Sequence, residues 1–360
     1  ELEHLMSQVD EHDLEQQMER LRQFRRTEIF KLAATDVIHV HQIWDVGAKL
    51  STIADVVLRK VLQLSWDAVC QRHGVPVCVI DGEEYRPGMA IIAYGKLGGL
   101  EMGYGSDLDI IFLHDSAGEK QYTSGEKSID NSQFFIRVAQ KVLHILGTRT
   151  HSGILYEADT RLRPDGRAGM LVSSVSAFED YQRNKAWTWE HQALLRTRGI
   201  AGSEPVRLEF ARIRRAILAV PREPGVLCKE VVDMREKMRK HLASRDDSSI
   251  NIKQDPGGMV DIEFTTQAGV LMNVGEHPEM LGVNSTLEFI EYLAAVGWYT
   301  NKEADDMSAA YKLFRQQTNK QALEVALPDD IRQVLQPHFN RVTQLWNELV
   351  VARATIEATP

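Results

Sequence analysis

The chain has 360 residues, 43% hydrophobic and 26% charged, with a net charge of −9. That is enough chain for two or three soluble cores, and the wrong sign of charge for a protein whose main task is gripping a nucleic-acid backbone. Cys70, Cys78 and Cys228 are too few for a disulfide scaffold and are not spaced for a metal, so a reducing compartment is expected, and no apolar run reaches the ~20 residues of a bilayer span.

In chain order, residues 1–73 hold almost no Gly or Pro and read as helices. One is predicted from about Leu14 to His41; Arg22, Arg25 and Arg26 read as a solvated basic face. His39 and His41, two apart on a helix, face different directions and are not read as a metal pair. Leu50, Ile53, Val57, Val61, Leu64 and Ala68 recur at helical spacing in a second helix. Gly74, Pro76 and Pro87-Gly88 then mark a transition. No signal peptide is visible, but the chain opens on Glu1 rather than Met, so it reads as a fragment.

Strands are expected at Val75–Ile80, Met89–Tyr94, Asp107–Leu113 and Gly153–Asp159, with a helix from Ser132 to Leu146 and a loop over 116–131. Between the second and third strands lies a glycine-dense stretch with Gly95, Lys96, Gly98, Gly99, Gly103 and Gly105, running into Ser106-Asp107-Leu108-Asp109. Alternation puts Asp107 and Asp109 on one strand face, about 7 Å apart along the strand. Two carboxylates that close repel, and a divalent cation between hard oxygen donors relieves the repulsion; Mg²⁺ is the expected ion. The glycines let backbone approach a phosphate. A solvated strand end is the alternative. The spacing is neither a Walker loop nor a dinucleotide fingerprint.

The fourth strand continues into Asp159-Thr-Arg161-Leu-Arg163-Pro164. Alternation places Leu155, Glu157, Asp159, Arg161 and Arg163 on one face for as long as the strand lasts. A two-metal site needs a third carboxylate, for which Asp159 is chosen and Glu157 is the alternative. Arg161 and Arg163 suit triphosphate oxygens, or else an internal ion-pair network. In Trp187-Thr-Trp-Glu-His-Gln-Ala-Leu-Leu-Arg196-Thr-Arg198, Arg196 and Arg198 are candidate nucleotide contacts, the alternative being core aromatics with surface arginines.

From Pro221 the chain reads as helices, interrupted by Lys253-Gln-Asp255-Pro-Gly-Gly-Met-Val-Asp261-Ile-Glu263-Phe264. Asp261 and Glu263 fall in a first helical turn, where acids favour the helix dipole. Ser285-Thr-Leu-Glu288 fits a capping box. Met307, Ala310, Tyr311 and Phe314 stripe one late helix, and Ile331, Val334, Leu335, Phe339, Val342, Leu345, Trp346 and Leu349 another.

The Gly95 turn followed by Ser106-Asp-x-Asp109 resembles the nucleotidyltransferase superfamily of DNA polymerase β. Gly95-Lys-Leu-Gly-Gly99, Ser106-Asp-Leu-Asp-Ile-Ile-Phe112, Asp159-x-Arg-Leu-Arg-Pro164 and the Trp187 segment resemble, more narrowly, the glutamine synthetase adenylyltransferase family. The Gly-Gly-x-x-Asp-Ile-Glu-Phe264 stretch is similar to a signature that family shares with uridylyltransferases. The resemblance implies an α+β fold: a polymerase β-like domain with a mixed sheet and flanking helices (74–220), between an N-terminal helical segment (1–73) and a C-terminal helical bundle (221–360). It implies a cytoplasmic enzyme that carries AMP from ATP to a tyrosine of glutamine synthetase, with two Mg²⁺ ions on Asp107, Asp109 and Asp159. Gly95, Lys96, Gly98, Gly99, Ser106, Arg161, Arg163, Arg196, Arg198 and Lys253 become its nucleotide contacts. The attaching rather than the adenylyl-removing half is expected, with a PII-type protein and glutamine as regulators, and no nucleic-acid or membrane partner. The alternatives are the removing half, a uridylyltransferase, and a non-catalytic regulator-docking domain. Where the superfamily often has a second small residue, this chain has Lys96, which offers the phosphates a charge instead of a hydroxyl.

Overall fold

The computed structural model describes residues 1–10, 13–37, 43–242, 250–326, 328 and 330–355. They form two compact units. One holds Glu1–Met102, Ser106–Ala186 and Thr197–Ile213; the other holds Gly103–Gly105, Trp187–Arg196 and Arg214–Pro360. The fold is mixed α+β, as expected.

The first unit begins with helices α1 (Leu2–Met6), α2 (Leu14–Val37) and α3 (Ile43–His73). The end of the predicted first helix, with His39 and His41, lies outside the described residues. Arg22 corrects the reading of a solvated basic face: it is 1% exposed. Its guanidinium donates to the carbonyls of Met18, Ile145 and Gly153 at 2.8–2.9 Å, and to that of Thr148. Carbonyls at the end of a helix are left without intrahelical donors, and a buried cation satisfies them.

Five strands make the main sheet. They are β3 (Met89–Ala93), β4 (Leu108–His114), β6 (Ala158–Asp159), β7 (Val172–Ser174) and β8 (Arg198–Gly202); β1 (Pro76–Ile80), β2 (Glu83–Tyr85) and β5 (Glu119–Thr123) form a separate three-stranded sheet. Strand β3 is apolar on both faces and buried throughout, as a central strand must be. It pairs antiparallel with β4 on one side and β8 on the other. Two short strands share the free edge of β4 in parallel, β6 at its start and β7 at its end. Helices α4 (Gly95–Gly98), α5 (Asn131–Gly147) and α6 (Val175–Asn184) complete most of the unit. The predicted apolar face of α5 is buried at Phe135, Val138, Ala139, Val142, Ile145 and Leu146.

One expectation fails here, and one element goes unpredicted. The predicted 116–131 loop contains β5, an edge strand whose alternation is masked by polar residues. The β1–β2 hairpin, unpredicted, turns on Asp81-Gly82, both with positive φ (51° and 84°), a pairing suited to the tight turn between twisted strands.

His114, at the end of β4, stacks on Phe135 with ring centroids 4.5 Å apart, and its Nδ1 accepts from the Ser116 amide at 3.1 Å. Burial pushes its pKa down from 6.5 to about 4. The folded chain therefore keeps the ring neutral while the unfolded chain takes up a proton. Stability carried by this ring is present above pH 6.5 and falls as the pH drops toward 4, by on the order of 2–3 kcal/mol. Denaturant unfolding of wild type and His114→Phe at pH 7 and 4.5 checks this: the wild type should lose more stability than the variant by about that amount.

The second unit is helical. It contains α7 (Thr188–Leu195) and, after α8 (Glu204–Leu218), within which the division falls, α9 (Pro224–Leu242), α10 (Met259–Asn273), α11 (Thr286–Ala295), α12 (Asn301–Ala322), α13 (Ile331–Trp346) and α14 (Ala352–Ala354). The Ser285 capping box opens α11 as expected. The stripes of α12 and α13 are buried except at Ile331, half-buried, and Val334, exposed. In the Gly-Gly-x-x-Asp-Ile-Glu-Phe264 stretch, Gly257 has φ +80° and a Cβ there would lie 2.0 Å from the Phe339 carbonyl oxygen. Asp261 does more than favour a helix dipole. It is fully buried and accepts from Arg235 Nε at 2.5 Å, Arg239 Nη2 at 2.6 Å and the Gly257 amide at 2.7 Å.

Candidate metal and nucleotide site

Strand β4 and the turn before it build the site. β3 ends at Ala93, and Tyr94 still pairs with β4, its amide donating to the Asp109 carbonyl at 2.8 Å. The chain then reverses through Gly95, whose φ of +55° begins the single turn α4. A Cβ at Gly95 would stand 2.3 Å from Asp109 Oδ2. Both the backbone sign and the space therefore require glycine at this position. Gly95→Ala is expected to cost roughly 1–2 kcal/mol in backbone strain and to displace the Asp109 carboxylate. Thermal unfolding with and without Mg²⁺ checks it: the variant should unfold earlier, and the stabilisation by Mg²⁺ expected of the wild type should be lost.

Asp159 reaches the same place from another strand. β4 and β6 run parallel with Asp109 opposite Asp159, anchored by the Leu108 amide donating to the Glu157 carbonyl at 2.9 Å. Asp107 precedes β4 by one residue and completes a cluster. One carboxylate oxygen from each of Asp107, Asp109 and Asp159 lies within 4.8 Å of the others. Asp107 is exposed, while Asp109 and Asp159 are half-buried. Three hard anionic donors at this spacing suit Mg²⁺, and two such ions commonly sit ~3.5–4 Å apart.

Arg161 supplies the compensating charge. Its amide and Nε donate to the two oxygens of Asp159 at 2.8 and 2.6 Å, and its Nη2 is paired with the same carboxylate. That pairing holds the Asp159 carboxyl below the usual carboxylate range, and the Arg161 guanidinium is raised by Asp159 first and by Asp109 and Asp107 in addition.

The other expected contacts distribute differently. Lys96 is half-buried and Gly98 and Gly99 are buried on the α4 turn; Ser106 is half-buried just ahead of Asp107. The predicted strand through Gly153–Asp159 is only two residues long, so alternation does not carry Arg161 and Arg163 along one face. The chain turns at Thr160 instead, and Arg163 donates to the carbonyls of Thr160, Arg167 and Gly169, tying its own loop. Glu157 is exposed and lies outside the carboxylate cluster. The Trp187 segment inverts its reading of core aromatics and surface arginines. Trp187 is 70% exposed, whereas Arg196 is 4% exposed and pairs with Glu263 at 2.9 Å within the second unit. Lys253 is an exposed residue of that unit. Arg198 opens β8 in the first unit and grips Asp55, a residue that the sequence reading did not single out.

Residues 1–213 match the family model described as Glutamate-ammonia ligase adenylyltransferase. The chain belongs to this adenylyltransferase family. Its carboxylate cluster, glycine turn and Arg161 all fall within the matched residues. Residues 230–323 match a second model, GlnD PII-uridylyltransferase, so the similarity to uridylyltransferases expected for the Asp261 stretch extends over much of the helical unit. Among adenylyltransferase relatives, a protein of Thioalkalivibrio sulfidiphilus is 50% identical over 324 residues, which are 90% of this chain and 33% of the relative. One from Vibrio parahaemolyticus is 42% identical over 348 residues, 97% of this chain and 36% of the relative. One from Shewanella loihica is 40% identical over 354 residues, 97% of this chain and 37% of the relative. Each is described as a bifunctional glutamine synthetase adenylyltransferase/adenylyl-removing enzyme. This chain spans about a third of the length of those relatives.

Proposed function

We propose that this chain transfers AMP from ATP to a tyrosine hydroxyl of glutamine synthetase, as the attaching half of a two-activity enzyme. The observation that carries the reading is the meeting of Asp107, Asp109 and Asp159 beside the Gly95 turn, in a chain of this family. The three carboxylates would hold two Mg²⁺ ions. Bound there, Mg²⁺ supplies Lewis-acid charge at the reacting phosphoryl group.

The chain's own groups set the rest. The Gly95–Gly99 turn takes the outer phosphates, with Lys96 lending charge. Arg161 keeps Asp159 ionised, so Asp159 serves as an anionic ligand and is a poor proton acceptor. The tyrosine oxygen attacks the α-phosphorus in line, its proton leaves to solvent, and pyrophosphate departs. Arg163 and Arg198 hold loop and turn in place. The working location is the cytoplasm, with glutamine and a PII-type protein as regulators. Among the described residues no helix is long and apolar enough to cross a membrane.

Unmodified glutamine synthetase, Mg²⁺ and ATP labelled at the α-phosphate test the reading. Transfer of label supports it. Release of ADP from adenylylated glutamine synthetase on adding phosphate, without any transfer, assigns the removing activity instead. The uridylyltransferase match of the helical unit favours a second reading, a UTP donor with a PII-type acceptor. Thermal shifts with ATP and UTP separate the two, and a larger shift with UTP would select the second.

A further inference from the structure

The α4 turn is only four residues long, yet its place against Asp109 is tight. Besides its own backbone bonds, it is met by a β8 side chain that is itself held by a distant helix. Arg198 stands opposite Ala93 in the β3–β8 pairing, one residue short of the turn. Its Nη1 and Nη2 donate to the two carboxylate oxygens of Asp55 at 2.7 and 2.8 Å. Its Nε and Nη2 also donate to the Leu97 carbonyl, in the middle of the turn, at 3.3 and 3.1 Å. Asp55 lies on α3 and is 6% exposed; Leu97 is 1% exposed. A fork held at both carboxylate oxygens has one orientation, and that orientation aims its remaining donor edge at Leu97. Nearby, Arg59 on the same helix donates from Nε to the Ile200 carbonyl at 3.1 Å, fastening α3 to β8 itself.

We propose that Asp55 and Arg198 are positioning residues for the phosphate-binding turn. Asp55 orients the Arg198 guanidinium, Arg198 holds the Leu97 carbonyl, and the turn is thereby kept where Gly95 meets Asp109. Helix α3 is then part of the nucleotide site without touching nucleotide. The nucleotide arm of the test rests on the function proposed above; the exchange arm stands without it.

Asp55→Asn retains shape and one acceptor, and Arg198→Lys retains charge but loses the fork. Hydrogen exchange by mass spectrometry is measured on both variants and wild type. Faster exchange confined to the peptide covering residues 95–101, with β1 and α5 unchanged, is the expected result. Uniformly faster exchange across the unit, or none, overturns the assignment. Calorimetric titration with Mg·ATP and with AMP forms the second arm. Mg·ATP should bind roughly tenfold more weakly to each variant while AMP, lacking the outer phosphates, binds as to wild type. Equal weakening of both ligands, or of neither, overturns the proposal. Should wild type bind no Mg·ATP while the local exchange change appears, the nucleotide reading fails and the anchoring of the turn stands.

Discussion

Asp109→Asn is expected to reduce nucleotidyl transfer by a factor on the order of a thousand, about 4 kcal/mol of barrier, with no loss of fold. Asp109 is central to the cluster. It pairs in register with Asp159 across β4 and β6, its carboxylate faces Gly95, and its oxygen lies within 4.8 Å of both other acids. Asparagine fills the same space and keeps the strand, but it removes one of three negative charges. The signature that separates a metal ligand from a structural residue is the sign of the stability change. Without a divalent ion the three carboxylates repel, so the variant should melt at the same temperature as wild type or higher. With Mg²⁺, wild type should gain stability by ligand linkage and the variant should gain little. Thermal unfolding with and without Mg²⁺, beside the labelled-ATP assay, measures both. A variant that retains wild-type transfer would remove Asp109 from the mechanism.

The second large effect lies in the helical unit. Asp261→Ala is expected to destabilise it by ~3–5 kcal/mol, because it leaves two guanidinium groups without their carboxylate. Arg235 is fully buried and donates to Asp261, to the Gln254 carbonyl and to Gln254 Oε1. Arg239 donates to the other Asp261 oxygen. The Gly257 amide shares that oxygen, so the tight Asp255–Gly258 turn and α10 are tied at one carboxylate. Urea unfolding followed by circular dichroism reads the loss. A double variant with Arg235→Met and Asp261→Leu should recover part of it, since a buried pair exchanged for apolar groups of like volume is often neutral.

Much of the site was legible because its signals are local. The buried run of β3, the glycine turn and the Asp-x-Asp at the start of β4 are contiguous. Short spacing alone puts Asp107, one residue ahead of β4, beside Asp109 in the cluster. The α5 stripe and the Ser285 capping box follow from helical period and hydrogen-bond chemistry over a few residues. The Asp81-Gly82 turn was equally local, and its dipeptide could have been read as a hairpin.

The arginines were not legible in the same way. Arg161, Arg163, Arg196 and Arg198 are one chemical type, and by sequence each suits either a nucleotide phosphate or an ion pair or the surface. Packing divides them: one on Asp159, one on its own loop, one on Glu263 and one on Asp55. The choice between Asp159 and Glu157 was likewise open, because alternation holds only while a strand lasts, and β6 lasts two residues. What the sequence determined by itself was which carboxylates, glycines and arginines lie at short spacings, and so which chemistry to propose. The tertiary structure decided which charges meet, because the Asp55–Arg198 partners stand 143 residues apart, and only the packing of α3 against β8 brings them within reach.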